Sequence, residues 1–354
     1  MKALILAGGK GTRLRPITFS MAKQLVPVAN KPVLYYGLEA VRDAGIREVG
    51  MIVGDTHEAI EQAVGDGSQW GLKVTYLPQE APLGLAHAVK VAQPFLKEEP
   101  FVMYLGDNIV RSGVAALVDE FERDKPDAMI LLAQVPNPQQ FGVAELDGDR
   151  VITLEEKPKE PRSDYALVGV YLFSSCIFEA VKAIKPSWRD EFEITDAIQY
   201  LIDSGKNVRS HKVKGWWKDT GDLDALLEAN RLVLEDLVGI IEGKVDSHSR
   251  LFGPVSVGAN SKIINTIIEG PSIIGSNCHL ENCRIGPYTA IGDGVYLIGS
   301  GVHDSVVMPD CSIKNIGDRI KHSLLGRGVQ VRCHPERSQA MQLMLGDNSV
   351  IELL

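Results

Sequence analysis

Between Ala7 and Gln24 the chain reads AGGKGTRLRPITFSMAKQ. Three glycines, two arginines and two lysines in so short a run are the parts needed to hold a polyphosphate. The apolar run Ala3-Leu4-Ile5-Leu6 precedes it and reads as a first buried strand. A strand opening into Gly8, Gly9, Gly11 and Thr12 brings bare backbone N–H groups within reach of an anion. Glycine suits this because it has no Cβ to block close contact and tolerates positive φ. Arg13 adds a planar, permanent charge and Lys23 a mobile point charge. The run lacks the Lys-Ser/Thr ending of GxxxxGK[ST] and the GxGxxG spacing of dinucleotide binders. Taken alone, its glycines would serve an ordinary strand–helix turn equally well.

Other segments carry chemistry of their own. Gly106-Asp107-Asn108 follows the apolar run Phe101–Leu105. A carboxylate at a strand's end, beside a polyphosphate, suits Mg²⁺, which takes one or two carboxylates plus substrate phosphates and water. In isolation Asp107 would as readily be a helix N-cap. A second carboxylate must come from elsewhere, and Asp219 in Trp216-Trp217-Lys218-Asp219-Thr220-Gly221 is the best candidate. Glu155-Glu156-Lys157-Pro158 pairs acids with a lysine before proline, by default a solvated turn. Gln79, in Gln79-Glu80-Ala81-Pro82-Leu83-Gly84-Leu85-Ala86, has an amide that both donates and accepts, which suits the edge of a pyrimidine dione.

These motifs, in this order, resemble the sugar-nucleotide pyrophosphorylases (nucleotidylyltransferases). Arg13, Pro16, Lys23, Gln24 and Pro27 carry the likeness at the start. The KQLVPV wording is similar to the thymidylyltransferase branch; uridylyl and guanylyl relatives more often have proline where Gln24 stands. The resemblance implies transfer of a nucleotidyl group from dTTP to a hexose 1-phosphate, with Mg²⁺ on Asp107 and Asp219. It implies Arg13 at the departing pyrophosphate and Lys23 at the α-phosphate. Leu6, Gly8, Gly9, Gly11, Thr12, Gln24, Gln79, Gly84 and Asp107 would line the nucleotide. Lys157 would hold the sugar phosphate and Glu156 the sugar hydroxyls. Gly142, Val168, Gly169, Thr195 and Trp217 would complete the sugar pocket. Two departures stand out. The family often has tyrosine where Phe141 stands, and Leu83-Gly84-Leu85-Ala86-His87 replaces an Asp-Gly-Leu-Ala-Gln pattern. The second leaves UTP as an alternative nucleotide.

The elements that must position these residues alternate through the first ~235 positions. Strands are expected at Ala3–Leu6, Glu48–Val53, Lys73–Leu77, Phe101–Leu105, Ala128–Gln134, Gly142–Leu146 and Val168–Phe173, with amphipathic helices such as Val33–Ala44 and Leu85–Phe95 between them. That alternation predicts a Rossmann-like, doubly wound α/β sheet, mixed but mainly parallel. Ligands then lie beyond the carboxyl ends of the strands, where the glycine loop and the segments after Leu77 and Leu105 converge.

Near residue 240 the composition changes. Charge thins, and branched residues fall six apart in Val257/Ile263, Ile268/Ile274/Leu280 and Ile285/Ile291/Leu297, slipping by one residue between runs. This hexapeptide period predicts a short left-handed parallel β-helix over 239–354, after a catalytic domain at 1–238. A generic small all-β domain is the plainer reading. A helix-like stretch follows at Glu336–Leu345. His279 and His303 lie inside the repeat, which keeps a bifunctional nucleotidyl/acyltransferase as an alternative; a non-catalytic homologue is disfavoured because the arginine, lysine and carboxylates are all present.

Composition bounds the rest. The formal charge of −9 argues against general nucleic-acid binding, and no apolar run is long enough to span a bilayer. The five cysteines are odd in number, scattered, and nowhere C-x-x-C, which argues against a disulfide framework. The first strand begins almost at Met1, so a cytoplasmic, signal-free protein is expected. A homo-oligomer assembled through the β-helix is expected as well.

Overall fold

The structure is a computed structural model and describes residues 1–316, 319–333 and 347–352. The helix-like stretch Glu336–Leu345 lies outside the described residues. Contacts divide the chain into two compact units. The first comprises Met1–Lys10, Met21–Leu25 and Val33–Asp219, the second Gly11–Ser20, Val26–Pro32 and Thr220–Leu354.

The first unit runs β1 (Lys2–Leu6), α1 (Val33–Asp43), β2 (Glu48–Val53), α2 (His57–Val64), β3 (Lys73–Pro78), α3 (Leu85–Leu96), β4 (Phe101–Leu105) and β5 (Asn108–Val110). It continues through α4 (Ala115–Asp124), β6 (Ala128–Gln134), β7 (Gly142–Asp147), β8 (Arg150–Glu156), β9 (Tyr165–Phe173), α5 (Ile177–Ala183), α6 (Ile194–Asp203), β10 (Val208–Lys212) and β11 (Trp217–Asp219). Nine of the strands form one sheet in the order β3-β2-β1-β4-β9-β6-β10-β8-β7. All five residues of β1 are buried, as a strand covered on both faces requires. Its side chains still alternate. Leu4 and Leu6 pack with α3, α5 and α6 on one face. Ala3 and Ile5 pack with α1, α2 and α4 on the other.

The sheet is mixed and mainly parallel, as expected: seven of its nine strands run one way, and β8 and β9 run against them. Parallel pairing joins β1 to β2 and β4, β2 to β3, and β10 to β6. Strand β9 is antiparallel to β4 and β6, and β8 is antiparallel to β7 and β10. The reversal has a local cause between β7 and β8. Asp147 pairs with Arg150, and Gly148 sits at φ 65° in the turn between them. A turn of that shape returns the chain beside itself. The parallel half is the half that matters for the glycine loop. The carboxyl ends of β1, β2, β3 and β4 lie side by side at one sheet edge.

The second unit contains α7 (Leu223–Glu235), whose N-cap Asp222 accepts from the Ala225 N–H at 3.0 Å. Beyond it, short strands fall into three parallel sheets of six, five and five strands, each joining every third strand in the chain. The chain therefore winds as a three-faced coil. Asn260 and Asn277, one turn apart, are 17 residues apart and hydrogen-bonded at 3.3 Å. A turn of 17 rather than 18 accounts for the slip seen in the hexapeptide pattern. Ile263, Leu280, Leu297 and Ile313 stack in register on one face, all essentially inaccessible. Asn260, Asn265, Asn277 and Asn282 occupy corners at φ between 43° and 63°. Asparagine tolerates that left-handed conformation better than most side chains, which explains its frequency here. The coil's last described strand is Gln330–Arg332. All five cysteines are free, and three of them are buried in the coil.

Candidate active site

The site in the first unit is built at the carboxyl ends of β1 and its parallel neighbours. The Gly106 N–H donates to Leu6 O at 2.9 Å, tying the loop after β4 to the end of β1. The short turn Lys23–Leu25 places the Lys23 ammonium on Asp107 in a charge-assisted hydrogen bond. Lys23 Cε passes 2.8 Å from where a Gly9 Cβ would stand, so a side chain at Gly9 would collide with it. Asp107 is 8% exposed and also accepts from Asn108 Nδ2 at 2.9 Å. Burial pushes its carboxyl up; the Lys23 charge and the hydrogen bonds outweigh this and hold it below the ordinary carboxylate value. Gln24 is 1% exposed, and its buried Oε1 has no hydrogen-bond partner among the described residues.

Strands β5 and β11 form a separate two-stranded ladder in which Asp219 is registered opposite Asn108. The ladder brings Asp219 beside the residue that follows Asp107. The Trp217 indole N–H donates to Asn108 Oδ1 at 2.5 Å and packs edge-on to Phe141, with ring centres 5.5 Å apart. Two acidic residues from distant parts of the chain thus occupy neighbouring positions across one strand pair. Among the described residues no group of three or more His, Cys, Asp or Glu side chains could hold a metal. Two hard oxygen donors without a third suit a cation that completes its shell with substrate oxygens.

The base-reading segment follows β3. Gln79 Oε1 lies 3.7 Å from the position of a Gly8 Cβ, so it faces the glycine loop. Gly84 has φ 102° and precedes α3; a Cβ there would lie 2.8 Å from the Phe192 backbone N. Only glycine fits that backbone. Leu83 O accepts from the Phe192 N–H at 2.8 Å and Phe192 O from the Ala86 N–H at 3.0 Å. The start of α3 is thereby clamped to the segment that enters α6.

A second cluster forms around the end of β8. Thr195 Oγ1 donates to Glu156 Oε2 at 3.3 Å. A Gly142 Cβ would meet Thr195 Cγ2 at 2.7 Å and Glu156 Oε2 at 3.1 Å, so the glycine lets these groups close up. Glu193 takes the N-cap position of α6 but caps nothing with its side chain. It accepts from Ser187 Oγ at 2.9 Å instead. Burial and the neighbouring Glu193 raise the Glu156 carboxyl above its ordinary value. Lys157 is exposed and held at φ 46°, with its N–H donating to Phe141 O at 3.0 Å. Val168 is fully buried. The side of Gly169 where a Cβ would stand is filled by Leu105, 2.6 Å away, so packing accounts for that glycine.

Gly11, Thr12 and Arg13 belong to the second unit. Arg13 is exposed in the turn Thr12–Leu14, its Nη1 3.6 Å from Asp222 Oδ2. In the coil, His279 Nε2 lies 3.1 Å from Glu281, and the His303 ring fills the notch left by Gly286. Sequence reasoning gave no role to Arg189. Its guanidinium reaches Glu156 at 3.6 Å, Glu193 at 3.4 Å and Glu191 at 3.2 Å, balancing three carboxylates. The i, i+4 spacing of Arg189 and Glu193 was the available signal.

The fold and this acid-and-lysine strand edge define a nucleotidyl transferase. A family model described as nucleotidyl transferase matches residues 2–236, and the chain belongs to that family. It is 54% identical over 350 residues to a glucose-1-phosphate thymidylyltransferase of Streptomyces griseus, covering 99% of this chain and 98% of that one. It is 44% identical, over the full length of both chains, to a low-salt glycan biosynthesis nucleotidyltransferase of Haloferax volcanii. A solved Bacillus anthracis structure, titled as a glucose-1-phosphate thymidylyltransferase in complex with sucrose, superposes with a TM-score of 0.63. It is 37% identical, covering 68% of this chain and 98% of that one.

Proposed function

We propose that the chain transfers a thymidylyl group from dTTP to glucose 1-phosphate, releasing pyrophosphate. The observation that carries this reading is the Lys23–Asp107 pair at the carboxyl end of the parallel strands, with Asp219 registered opposite the next residue, Asn108. Full-length similarity to the Streptomyces griseus enzyme supports the substrates. A phosphate oxygen of the sugar phosphate attacks the α-phosphorus of dTTP, and the bond from that phosphorus to the bridging β-phosphate oxygen breaks. The nucleophile is already an anion, so alignment and charge neutralisation are the main demands on the protein.

Each residue then has a task. Gln79, the Gly84 backbone and Gln24 hold the nucleotide, with the deoxyribose and base over Leu6 and Gly8. The orphaned Gln24 Oε1 is a buried acceptor in need of a donor, which supports a ligand there. Lys23 faces the α-phosphate, and Arg13, by its place in the glycine loop, takes the charge on the leaving pyrophosphate. Glu156, with Thr195 beside it, accepts from sugar hydroxyls, and Lys157 aims the attacking phosphate. Asp107 and Asp219 would hold Mg²⁺, which when bound neutralises phosphate charge. Residues 1–238 would act as the catalytic domain, and 239–354 as a left-handed parallel β-helix that supports a cytoplasmic homo-oligomer.

Pyrophosphate release with glucose 1-phosphate, Mg²⁺ and each nucleoside triphosphate in turn tests this. Fastest release with dTTP is expected. Preference for UTP would keep the mechanism and overturn the base assignment.

A further inference from the structure

Gln79 is held by two groups. Its Nε2 lies 2.9 Å from His87 Nδ1 and donates to Gly84 O at 3.4 Å. A carbonyl only accepts, so the NH₂ end of the amide is the end turned inward. His87 Nδ1 is then an acceptor, and the imidazole carries its proton on Nε2. The other end, Oε1, is left facing the Gly8 loop. The imidazole is fixed in turn. It stacks on Phe192, ring centres 6.4 Å apart, and Phe192 is locked by its backbone bonds to Leu83 and Ala86.

This orientation has a chemical consequence. An oxygen pointed at the base accepts from an imide N3–H, which thymine and uracil have. It faces the bare N3 lone pair of cytosine acceptor to acceptor. A glutamine free to turn would serve either base. We infer that His87 is a positioning residue for nucleotide choice, holding the Gln79 amide so that only an imide base is read. This inference rests on the reading of Gln79 as the base contact.

The same geometry makes the choice sensitive to acid. Burial, then the positive Lys90 one turn along α3, lowers the His87 imidazole below its ordinary value. Gln79 after β3 and Phe192 before α6, which pack on it from other elements, are uncharged. Protonation would put a proton on Nδ1, and the Gln79 amide would have to turn its NH₂ toward the base.

The test uses the full chain, with pyrophosphate release measured for dTTP and dCTP between pH 5 and 8. His87→Leu removes the acceptor. His87→Asn keeps one, because the Asn Oδ1 can stand near the place of the imidazole Nδ1 and does not titrate. His87→Leu is expected to lose about tenfold in kcat/KM for dTTP, mainly through KM, and at least about tenfold in discrimination against dCTP. His87→Asn is expected to restore discrimination. In the wild type, discrimination is expected to fall on acidification, and in His87→Asn it is expected to stay level. Unchanged discrimination in a folded His87→Leu overturns the inference. If that variant does not fold, matching acid profiles for the wild type and His87→Asn overturn it instead. A wild type that uses neither dTTP nor UTP would defeat the base reading itself, a result distinct from either.

Discussion

At the scale of single residues, the Asp107 carboxylate accepts from both Lys23 and Asn108. Replacement by asparagine keeps the shape and removes the charge, and its single acceptor oxygen can keep only one of the bonds from Lys23 and Asn108. Asp107→Asn is expected to lower kcat by about 10²-fold or more, the usual scale for losing one charge-stabilising group. Its circular dichroism should remain that of a folded protein. Retention of near-wild-type kcat would remove Asp107 from the metal site. Glu156 behaves differently, because burial and Glu193 already disfavour its charge in the folded state. A carboxyl with a raised folded pKa lowers stability as pH rises through the interval between its unfolded and folded values. Glu156→Gln is therefore expected to melt no lower than wild type at pH 7, while KM for the sugar phosphate rises about tenfold. A melting temperature several degrees lower would show that the Arg189 pairing dominates instead.

At the scale of elements, His322 ties α7 to the coil. Its Nε2 lies 2.8 Å from Asp224 Oδ1 and its Nδ1 3.3 Å from Asp304 Oδ2. Both ring nitrogens face carboxylates, so the imidazolium satisfies both. The Asp224 hydrogen bond, then Asp304, raises its pKa above 6.5 against the opposing effect of burial. A raised folded pKa gives stability that is complete below the unfolded value and is lost as pH rises through the folded one. Denaturant midpoints for the second unit are expected to fall between pH 6 and pH 8.5, with a shallower fall in His322→Gln. Equal slopes would place the pH dependence elsewhere. Elements also show how much the sequence revealed. The apolar runs of β1, β2 and β4 were legible because burial on both faces requires continuous apolar residues. The direction of β9 was not legible, because it depends on partners far along the chain. The slipped hexapeptide spacing was legible as irregularity, and the 17-residue turn explains it. Asp107 and Asp219 were legible as motifs, whereas their neighbouring positions depend on the β5–β11 register. Arg189 was legible only through its i, i+4 spacing to Glu193; its pairing with the distant Glu156 arises only in space.

At the scale of the whole molecule, the contact units do not follow the composition change near residue 240. Helix α7 and the segment 26–32 group with the coil. Ala29 N–H donates to Asn230 Oδ1 at 2.9 Å, and Asn230 Nδ2 to Tyr288 O at 2.9 Å. Asn30 Nδ2 donates to Ile291 O at 2.7 Å. Arg231 grips both oxygens of Asp304, its Nε 2.6 Å from Oδ1. A chain cut after Val238 keeps α7 but removes Tyr288, Ile291 and Asp304. Asn230 is fully buried, so its amide would lose a partner, and Arg231 would lose its carboxylate. Each lost buried partner costs on the order of 1–3 kcal/mol. The segment 11–20, which carries Arg13, belongs to the same unit, with Ile17 Cδ1 3.0 Å from where a Gly326 Cβ would stand. The fragment 1–238 is therefore expected to keep the strand signature of its nine-stranded sheet in circular dichroism yet lose about tenfold or more in kcat. Arg231→Ala in the full chain should reproduce part of the stability loss. A fragment with wild-type kcat would show that the glycine loop and its arginine hold their places without the coil.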